Sequence, residues 1–288
     1  MGWQLTDDVE EFRTAADPCL ALEPARSTLL LTISESVRAH GAGAGASARF
    51  GHWRESEDAP VSAGFVQTPP LRPLLGPMPD RAARELVPVL RALDPSLSSV
   101  QGEEACVRAF AAEWTGCSGG WHVSHRVRLF RLGELTPPDP APAGRARLAT
   151  AEDLPLLAEW MSAFATDTGQ AVRADEDYTR ATAERIAVGR LWLWDVAGAP
   201  VAMASVTPTV AGQARVSPVY TPLRLRGRGY GGAVTAAVSR AARDAGAEQV
   251  LLYTDLANPT SNALYQRLGY RPLTDSQVLT FDRGVPQK

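Results

Sequence analysis

The segment from Val216 to Gly232 most constrains the fold, because a strand-like run leads through a loop into a helical pattern. The loop and the start of the helix contain four glycines, Gly227, Gly229, Gly231 and Gly232. Glycine accepts positive φ angles and lets the backbone approach a ligand closely. The free N–H groups of such a loop, together with the dipole of the following helix, attract anions. The segment therefore predicts a site for a phosphate-bearing cofactor.

Basic residues and a competing motif accompany these glycines. Arg224, Arg226 and Arg228 add positive charge to the loop. The spacing Gly227-x-Gly229-x-x-Gly232 also fits a dinucleotide fingerprint, which would make the chain a nicotinamide-dependent oxidoreductase. In that fingerprint the first glycine directly follows the strand, whereas residues 222–226 intervene here. Too few residues follow the loop for the later strands of a doubly wound sheet, so we favour another cofactor.

A second motif follows the next predicted strand. It reads Asn258-Pro259-Thr260-Ser261-Asn262-Ala263-Leu264-Tyr265-Gln266-Arg267-Leu268-Gly269-Tyr270. Asn258 and Thr260 are residues that cap helices, and Asn262 and Tyr265 lie three apart on one helical face. Together with the earlier Arg226-x-x-Gly229-x-Gly231, this motif resembles the GNAT superfamily of N-acetyltransferases. The resemblance covers the second half of the chain in element order and residues 216–270 in motif.

The resemblance implies a cofactor, acetyl-CoA, which in this family lies where two neighbouring parallel strands part. Cofactor contacts are implied for Val219, Tyr220, Thr221, Arg224, Arg226, Gly227, Arg228, Gly229, Tyr230, Gly231, Gly232, Asn258 and Asn262. The strand residues would contact the pantetheine arm, and the loop would hold the pyrophosphate. Tyr265 would protonate the leaving thiolate, and a free N–H near Val219 would polarise the carbonyl. A primary amine of a small molecule or peptide would attack directly, without a metal.

Each of these assignments has a structural alternative. Tyr265 can be a core tyrosine, Asn258 can be a plain helix cap, and Arg224 and Arg228 can be solvated arginines. The whole domain can also be a non-catalytic acyl-CoA-binding or regulatory module. The preserved Tyr265 and asparagines favour an enzyme, an acyl-CoA-dependent acyltransferase.

The sequence does not identify the general base. An amine must lose a proton before it attacks, yet no acidic residue lies between Pro200 and Tyr220. Asp255 lies near the predicted cleft, and the acidic run 175–177 lies at the second predicted helix, where it can attract a cationic amine or simply cap the helix. His122 and His125 belong to the other half of the chain, where structural roles are expected.

A proline-rich stretch at 136–144 divides the chain and predicts a semi-rigid linker. We expect an α/β fold with a mixed sheet, built as two GNAT-like domains in tandem, each a central sheet flanked by helices. The first domain, 1–135, would be a degenerate copy, because Leu74-Leu75-Gly76-Pro77-Met78-Pro79-Asp80 lacks the cofactor spacing. The second, 145–288, would be catalytic. An unrelated α+β first domain is the alternative.

Periodicity predicts the same element order in both halves. In the second half we expect a helix capped by Thr150, a helix at 178–188, strands at 191–196, 201–206 and 215–221, a helix at 231–245, a strand at 250–254, a helix at 260–268 and a strand at 276–281. In the first we expect two helices between 9 and 38, strands at 50–55, 61–67 and 71–75, a helix at 80–93, a strand at 98–101, a helix at 103–114 and a strand at 123–132.

Composition and charge limit the classes of binding partner and the cellular compartment that we expect. The 288 residues carry a formal net charge of −3, which provides no basic field for nucleic acid or an anionic membrane. The longest apolar run, near residues 29–33, is too short to span a bilayer. Three cysteines without zinc-like spacing indicate a reducing, cytoplasmic compartment. We expect a monomer or a homodimer.

Overall fold

The computed structural model describes residues 2–41, 47–116, 119–169 and 175–282, without the side chains of 175–177. The chain forms two compact units. The first unit comprises residues 1–129 together with 254–258 and 272–288, and the second comprises 130–253 and 259–271. The first unit therefore includes two segments from late in the chain.

The first unit follows the order strand, two helices, three strands, helix, strand, helix, strand. Its elements are β1 (Trp3–Thr6), α1 (Val9–Leu20), α2 (Thr28–His40), β2 (Arg49–Trp53), β3 (Ala63–Gln67), β4 (Leu74–Leu75), α3 (Asp80–Leu93), β5 (Ser99–Glu103), α4 (Glu104–Thr115) and β6 (Trp121–Leu132), of which the last three residues belong to the second unit.

The second unit repeats this order. Its elements are β7 (Arg145–Leu148), α5 (Leu154–Asp167), α6 (Asp175–Ala187), β8 (Leu191–Val196), β9 (Ala199–Val206), β10 (Gln213–Tyr220), α7 (Tyr230–Asp244), β11 (Gln249–Asp255), α8 (Pro259–Arg267) and β12 (Tyr270–Phe281). The last two residues of β11, and β12 from Pro272 onward, belong to the first unit.

Strand pairing is also repeated. In the first unit β1 to β4 pair antiparallel in sequence, and β4 then pairs parallel with β5. In the second, β7 to β10 pair antiparallel and β10 pairs parallel with β11. The same order of elements and the same pairing senses support the interpretation of an internal repeat.

The late strand β12 completes the sheet of the first unit. It pairs antiparallel with β5, from Ser276 opposite Glu103 to Thr280 opposite Ser99. Strand order in this unit is β1-β2-β3-β4-β5-β12-β6. Leu279 and Phe281 are buried in one core with Val100 and Phe110, so the end of the chain supplies part of this core.

Helix α7 lies on the sheet of the second unit with a face of small residues. Ala233, Val234, Ala236 and Val238 are buried with residues of β9 to β11. The far face of the same sheet packs Leu157, Trp160 and Met161 of α5 against Leu191, Leu193 and Met203. The sheet therefore has helices on both faces, and the carboxyl end of β10 lies between the two helical layers.

The predicted boundaries differ from the structure mainly where strands are short. Strands β1 and β7 were not expected, because four residues with polar members give little alternation. The strand predicted over 71–75 shrinks to Leu74–Leu75, because Leu71 closes a turn onto the Thr68 carbonyl. The helix predicted over 80–93 is observed as α3, with Asp80 as its first residue and Pro79 as its N-cap. Thr150 does begin a helical turn, in a capping box with Asp153.

Within the described part of the chain, every helix is too short or too polar to cross a bilayer.

Candidate active site

Strand β10 has a bulge near its end. Val216 pairs with Val206 and Val219 pairs with Ala204, so three steps along β10 match two steps along β9. Pro218 lies within this bulge and has no N–H to contribute to the ladder. Bulges redirect backbone groups and side chains and are common beside active sites. The N–H of Val219 as a carbonyl-polarising donor remains a prediction, and the bulge lies where that prediction needs it.

In the part of the chain that the structure describes, the parallel strands β10 and β11 are paired only over their first residues. Their parallel pairing joins Gln213, Ala214 and Arg215 to Gln249, Val250 and Leu251. Among the described residues this register ends at Arg215, although β10 continues to Tyr220. Open α/β sheets bind ligands at the carboxyl ends of their strands. The end of this pairing lies where the family resemblance implies that the cofactor would enter between the strands.

The loop after β10 ends in two glycines with left-handed backbone. Gly227 has φ +78° and Gly229 has φ +82°, and Gly229 is the residue that caps α7. The first turn of a helix has amides without partners inside the helix, and a glycine cap has no side chain to satisfy them. These amides and the positive end of the helix dipole therefore point to an anion site.

Close packing holds this helix end against β10 and α8. A Cβ on Gly231 would lie 3.2 Å from Oγ1 of Thr221, and a Cβ on Gly232 would lie 3.0 Å from Cδ1 of Leu264. A Cβ on Gly227 would meet nothing within 4 Å. The glycines at 231 and 232 thus allow close packing, whereas Gly227 borders open space.

The neighbouring strand residues face opposite sides of the sheet. Val219 packs with the core beneath α7, and Tyr220 packs with the core beneath α5, where its ring lies 6.1 Å from that of Trp160. Tyr230 at the start of α7 is half-buried against the first of these cores. Tyr220 and Tyr230 were predicted to contact the cofactor, and their side chains are engaged in packing.

The three loop arginines differ in their surroundings. Arg224 and Arg228 are exposed. Arg226 donates from Nε to the Thr221 carbonyl at 2.9 Å and from Nη2 to Oδ2 of Asp167 at 2.6 Å. The sequence predicted all three as pyrophosphate ligands, and the pairing of Arg226 with Asp167 gave no sequence signal.

Helix α8 presents Tyr265 and Asn262 three residues apart. The Tyr265 side chain is 8% exposed, and burial raises its pKa to about 12. Its ring contacts that of Tyr270 edge-on, with centroids 6.1 Å apart. Asn262 is half-buried, and Asn258 is exposed just before the helix, with its N–H donating to the Asp255 carbonyl at 3.0 Å. At neutral pH the Tyr265 hydroxyl keeps its proton, as a proton donor must.

Asp255 holds a turn. Its Oδ1 accepts from the Ala257 N–H at 2.7 Å, and its Oδ2 lies 3.7 Å from Nε2 of His125. His122, the other histidine considered in the sequence analysis, has its Nδ1 3.1 Å from Oδ1 of Asp282. The side chains of Asp175, Glu176 and Asp177, considered above for attracting an amine, lie outside the described residues. Among the described residues, no group of three His, Cys, Asp or Glu could hold a metal ion.

The corresponding turn of the first unit is closed. A Cβ on Gly76 would lie 2.9 Å from Cδ2 of Leu30 and 3.1 Å from the Gly64 carbonyl oxygen. Pro79 caps α3, and prolines have no N–H to offer an anion. Beyond it, Arg26 donates from Nε to Glu103 at the end of β5, at 2.7 Å. Core packing thus closes this turn at Gly76, and an ion pair lies at the end of β5.

Comparison with known proteins agrees with this arrangement. Residues 154–270 match the model of the acetyltransferase (GNAT) family. No curated protein sequence matches the chain. The matched segment contains the bulged strand, the glycine loop and α8.

Solved structures show the same fold over the whole chain. A GCN5-related N-acetyltransferase from Sphaerobacter thermophilus is 16% identical over 98% of this chain and 97% of its own, with a TM-score of 0.64. A tandem GNAT protein from the clavulanic acid biosynthesis pathway is 14% identical over 99% and 100%, with a TM-score of 0.60. A GNAT-family acetyltransferase from Colwellia psychrerythraea is 12% identical over 98% and 99%, with a TM-score of 0.59. The predicted mixed α/β fold with tandem GNAT-like domains is confirmed.

Proposed function

We propose that this chain transfers an acetyl group from acetyl-CoA to a primary amine of a small molecule or peptide by direct attack. The observation that carries the proposal is the early end of the pairing between β10 and β11, which the glycine loop and the start of α7 flank within the segment that matches the GNAT family model. When bound, acetyl-CoA supplies the activated acyl group as a thioester. The domain division into 1–135, 136–144 and 145–288 is part of the same proposal.

The residues of the loop fit a pyrophosphate. Gly227 borders open space, and Gly229 ends the loop with the first amides of α7 exposed to an anion. Arg224 and Arg228 are exposed cations in the same loop. The backbone from Arg224 to Gly232 would bind the two phosphates, with Asn258 and Asn262 donating or accepting hydrogen bonds elsewhere on the cofactor.

The end of β10 would hold the pantetheine arm through the backbone groups of Val219, Tyr220 and Thr221. Extended peptide groups beside a bulge can pair with an amide-containing arm as a neighbouring strand would. The Val219 N–H would donate to the acyl oxygen and stabilise the negative charge that develops there.

Tyr265 would complete the transfer as the proton donor. The amine nitrogen would form a bond to the acyl carbon as the carbon–sulfur bond breaks, and the sulfur would take the proton of the Tyr265 hydroxyl. The phenolate would then regain a proton from water. Because burial raises its pKa to about 12, the phenol is protonated throughout the physiological range. Neither β9 nor β10 contains a carboxylate, so the proton of the attacking amine leaves to water.

We place this reaction in the cytoplasm, since Cys19 and Cys106 are free thiols, and we expect a monomer or homodimer.

The deciding test is calorimetric titration of the intact chain with acetyl-CoA and separately with NADH, followed by a thiol-release assay over a panel of amines. We expect one acetyl-CoA per chain, no NADH binding, and amine-dependent thiol release. Acetyl-CoA binding without release across the panel would indicate a non-catalytic binding module, and binding of NADH alone would indicate an oxidoreductase.

A further inference from the structure

The side chain of Arg226 is 47% exposed and donates hydrogen bonds to two groups of the protein. Nε donates to the Thr221 carbonyl at 2.9 Å, and Nη2 donates to Oδ2 of Asp167 at 2.6 Å. Its guanidinium carbon lies 5.9 Å from the centre of the Tyr220 ring. Together these contacts hold the guanidinium in one orientation against the loop.

The three partners belong to two different elements. Tyr220 ends β10 and Thr221 follows it, whereas Asp167 is the last residue of α5. Tyr220 also contacts α5 through Trp160, with ring centroids 6.1 Å apart. Arg226 therefore joins the glycine loop to the strand it leaves and to the helix on the far face of the sheet.

We propose that Arg226 is a positioning residue, which fixes both the glycine loop and the end of β10 against α5, so that the loop amides and the backbone groups of the strand end are held in place for the cofactor. This inference rests on the proposed function and refines it, because it leaves the charge contacts to pyrophosphate to Arg224 and Arg228 of the same loop. A guanidinium suits the role, since its rigid planar fork holds its donors in fixed directions, whereas an ammonium is a compact charge on a flexible stem. An exposed ion pair alone is weak, but three contacts from one rigid group fix its orientation.

The first test measures the loop without any ligand. We expect Arg226→Ala and Asp167→Asn to speed amide hydrogen exchange over residues 221–229 by about threefold to tenfold, as local opening becomes easier. Arg224→Ala is the matched control, an arginine removed from the same loop, and should leave this exchange unchanged. Exchange that stays the same in Arg226→Ala overturns the proposal.

The second test separates positioning from phosphate binding with two acetyl donors. S-acetylpantetheine carries the thioester and pantetheine but lacks the pyrophosphate. If Arg226 positions both the loop and the end of β10, Arg226→Ala lowers kcat/KM for S-acetylpantetheine as well as for acetyl-CoA. The double variant with Asp167→Asn should fall no further than Arg226→Ala alone. Arg224→Ala should instead affect acetyl-CoA more than S-acetylpantetheine.

A loss confined to acetyl-CoA in Arg226→Ala would make Arg226 a phosphate ligand and overturn the proposal. If the unaltered protein used neither donor, the proposed function would fail. The hydrogen-exchange comparison would still decide whether Arg226 positions the loop.

Discussion

The two units place different turns between the same pair of elements. In the second unit the chain passes from β10 through Gly227 and Gly229, both with positive φ, and enters α7 with a glycine cap. In the first unit it passes from β4 through Gly76 and Pro79 and enters α3 with a proline cap. The turn of the second unit borders open space at Gly227, and the turn of the first unit is packed at Gly76 against Leu30 and the Gly64 carbonyl.

The two units therefore share an order of elements but differ in the turn at which we propose the cofactor binds. Both units keep three antiparallel pairings followed by a parallel one. In the first unit the N-cap of α3 is Pro79, which has no N–H, and Arg26 donates to Glu103 at the end of β5. If only the second unit binds the cofactor, as proposed, the two units should respond oppositely to matched substitutions.

The largest contrast should come from Gly229→Val and Gly76→Val. A β-branched residue at the positive φ of Gly229 is strained by about 1–2 kcal/mol, and the loop would change conformation to relieve it. We expect acetyl-CoA affinity, measured by calorimetry, to fall by more than about 10²-fold, since a single anion site carries the pyrophosphate. Far-ultraviolet circular dichroism should be unchanged.

Gly76→Val is the matched substitution in the first unit. Its side chain would overpack the contact with Leu30 and the Gly64 carbonyl, which costs about 1–3 kcal/mol of unfolding free energy. We expect a lower denaturation midpoint with acetyl-CoA affinity retained in the folded protein. Unchanged affinity in Gly229→Val would reject the assignment of the pyrophosphate loop.

The next effect concerns the buried tyrosines. Tyr265→Phe should lower kcat by about 10²-fold, the contribution of one acid catalyst, without weakening acetyl-CoA binding. Tyr270→Phe is the control, because Tyr270 is also buried but its hydroxyl is bonded to Ser239 at 2.6 Å. It should lower stability by about 1 kcal/mol and preserve turnover. Full activity in Tyr265→Phe would exclude the phenol from the reaction.

The dependence of kcat/KM on pH gives a second test of Tyr265 as the proton donor. The pKa of Tyr265 is raised to about 12, so its proton is present below that pH and is lost only as the pH rises through it. We expect kcat/KM to rise with pH as the acceptor amine deprotonates, with no falling limb from Tyr265 below about pH 10. A falling limb between pH 7 and 9 that disappears in Tyr265→Phe would contradict the buried, protonated phenol.

The smallest effect is expected from Arg26→Ala in the first unit. The Arg26 and Glu103 side chains are 34% and 17% exposed, so their hydrogen-bonded pair should contribute about 1–2 kcal/mol to stability. Thermal unfolding should begin at a lower temperature, and acetyl-CoA affinity should not change. A loss of affinity in Arg26→Ala would mean that the first unit contributes to the site.

Much of the second unit could be predicted from sequence, because its signals are local. The glycines before α7 and the Asn262-to-Tyr265 spacing depend on backbone conformation and helical period, which neighbouring residues determine. The strand at Leu191–Val196 was predicted at its observed bounds, and most others within a few residues.

The remainder depends on contacts between residues far apart in sequence. Arg226 contacts Asp167, which is 59 positions away in the sequence. Nothing in the sequence around either residue distinguishes it from an ordinary solvated charge. The partner of β5 is β12, which follows it by more than 160 positions, so local periodicity carries no information about the pairing. Strand periodicity predicted a strand at 276–281, but only the pairing shows which unit it completes.

The position of β12 has a consequence for biosynthesis. A ribosome releases the chain from its amino terminus, and early domains commonly fold while later ones are still being made. Here the sheet of the first unit lacks the strand between β5 and β6 until residues 272–281 have emerged. Translation of almost the entire chain therefore precedes completion of its earliest part, and a truncated product ending before Pro272 would expose β5 as an unpaired edge, open to aggregation.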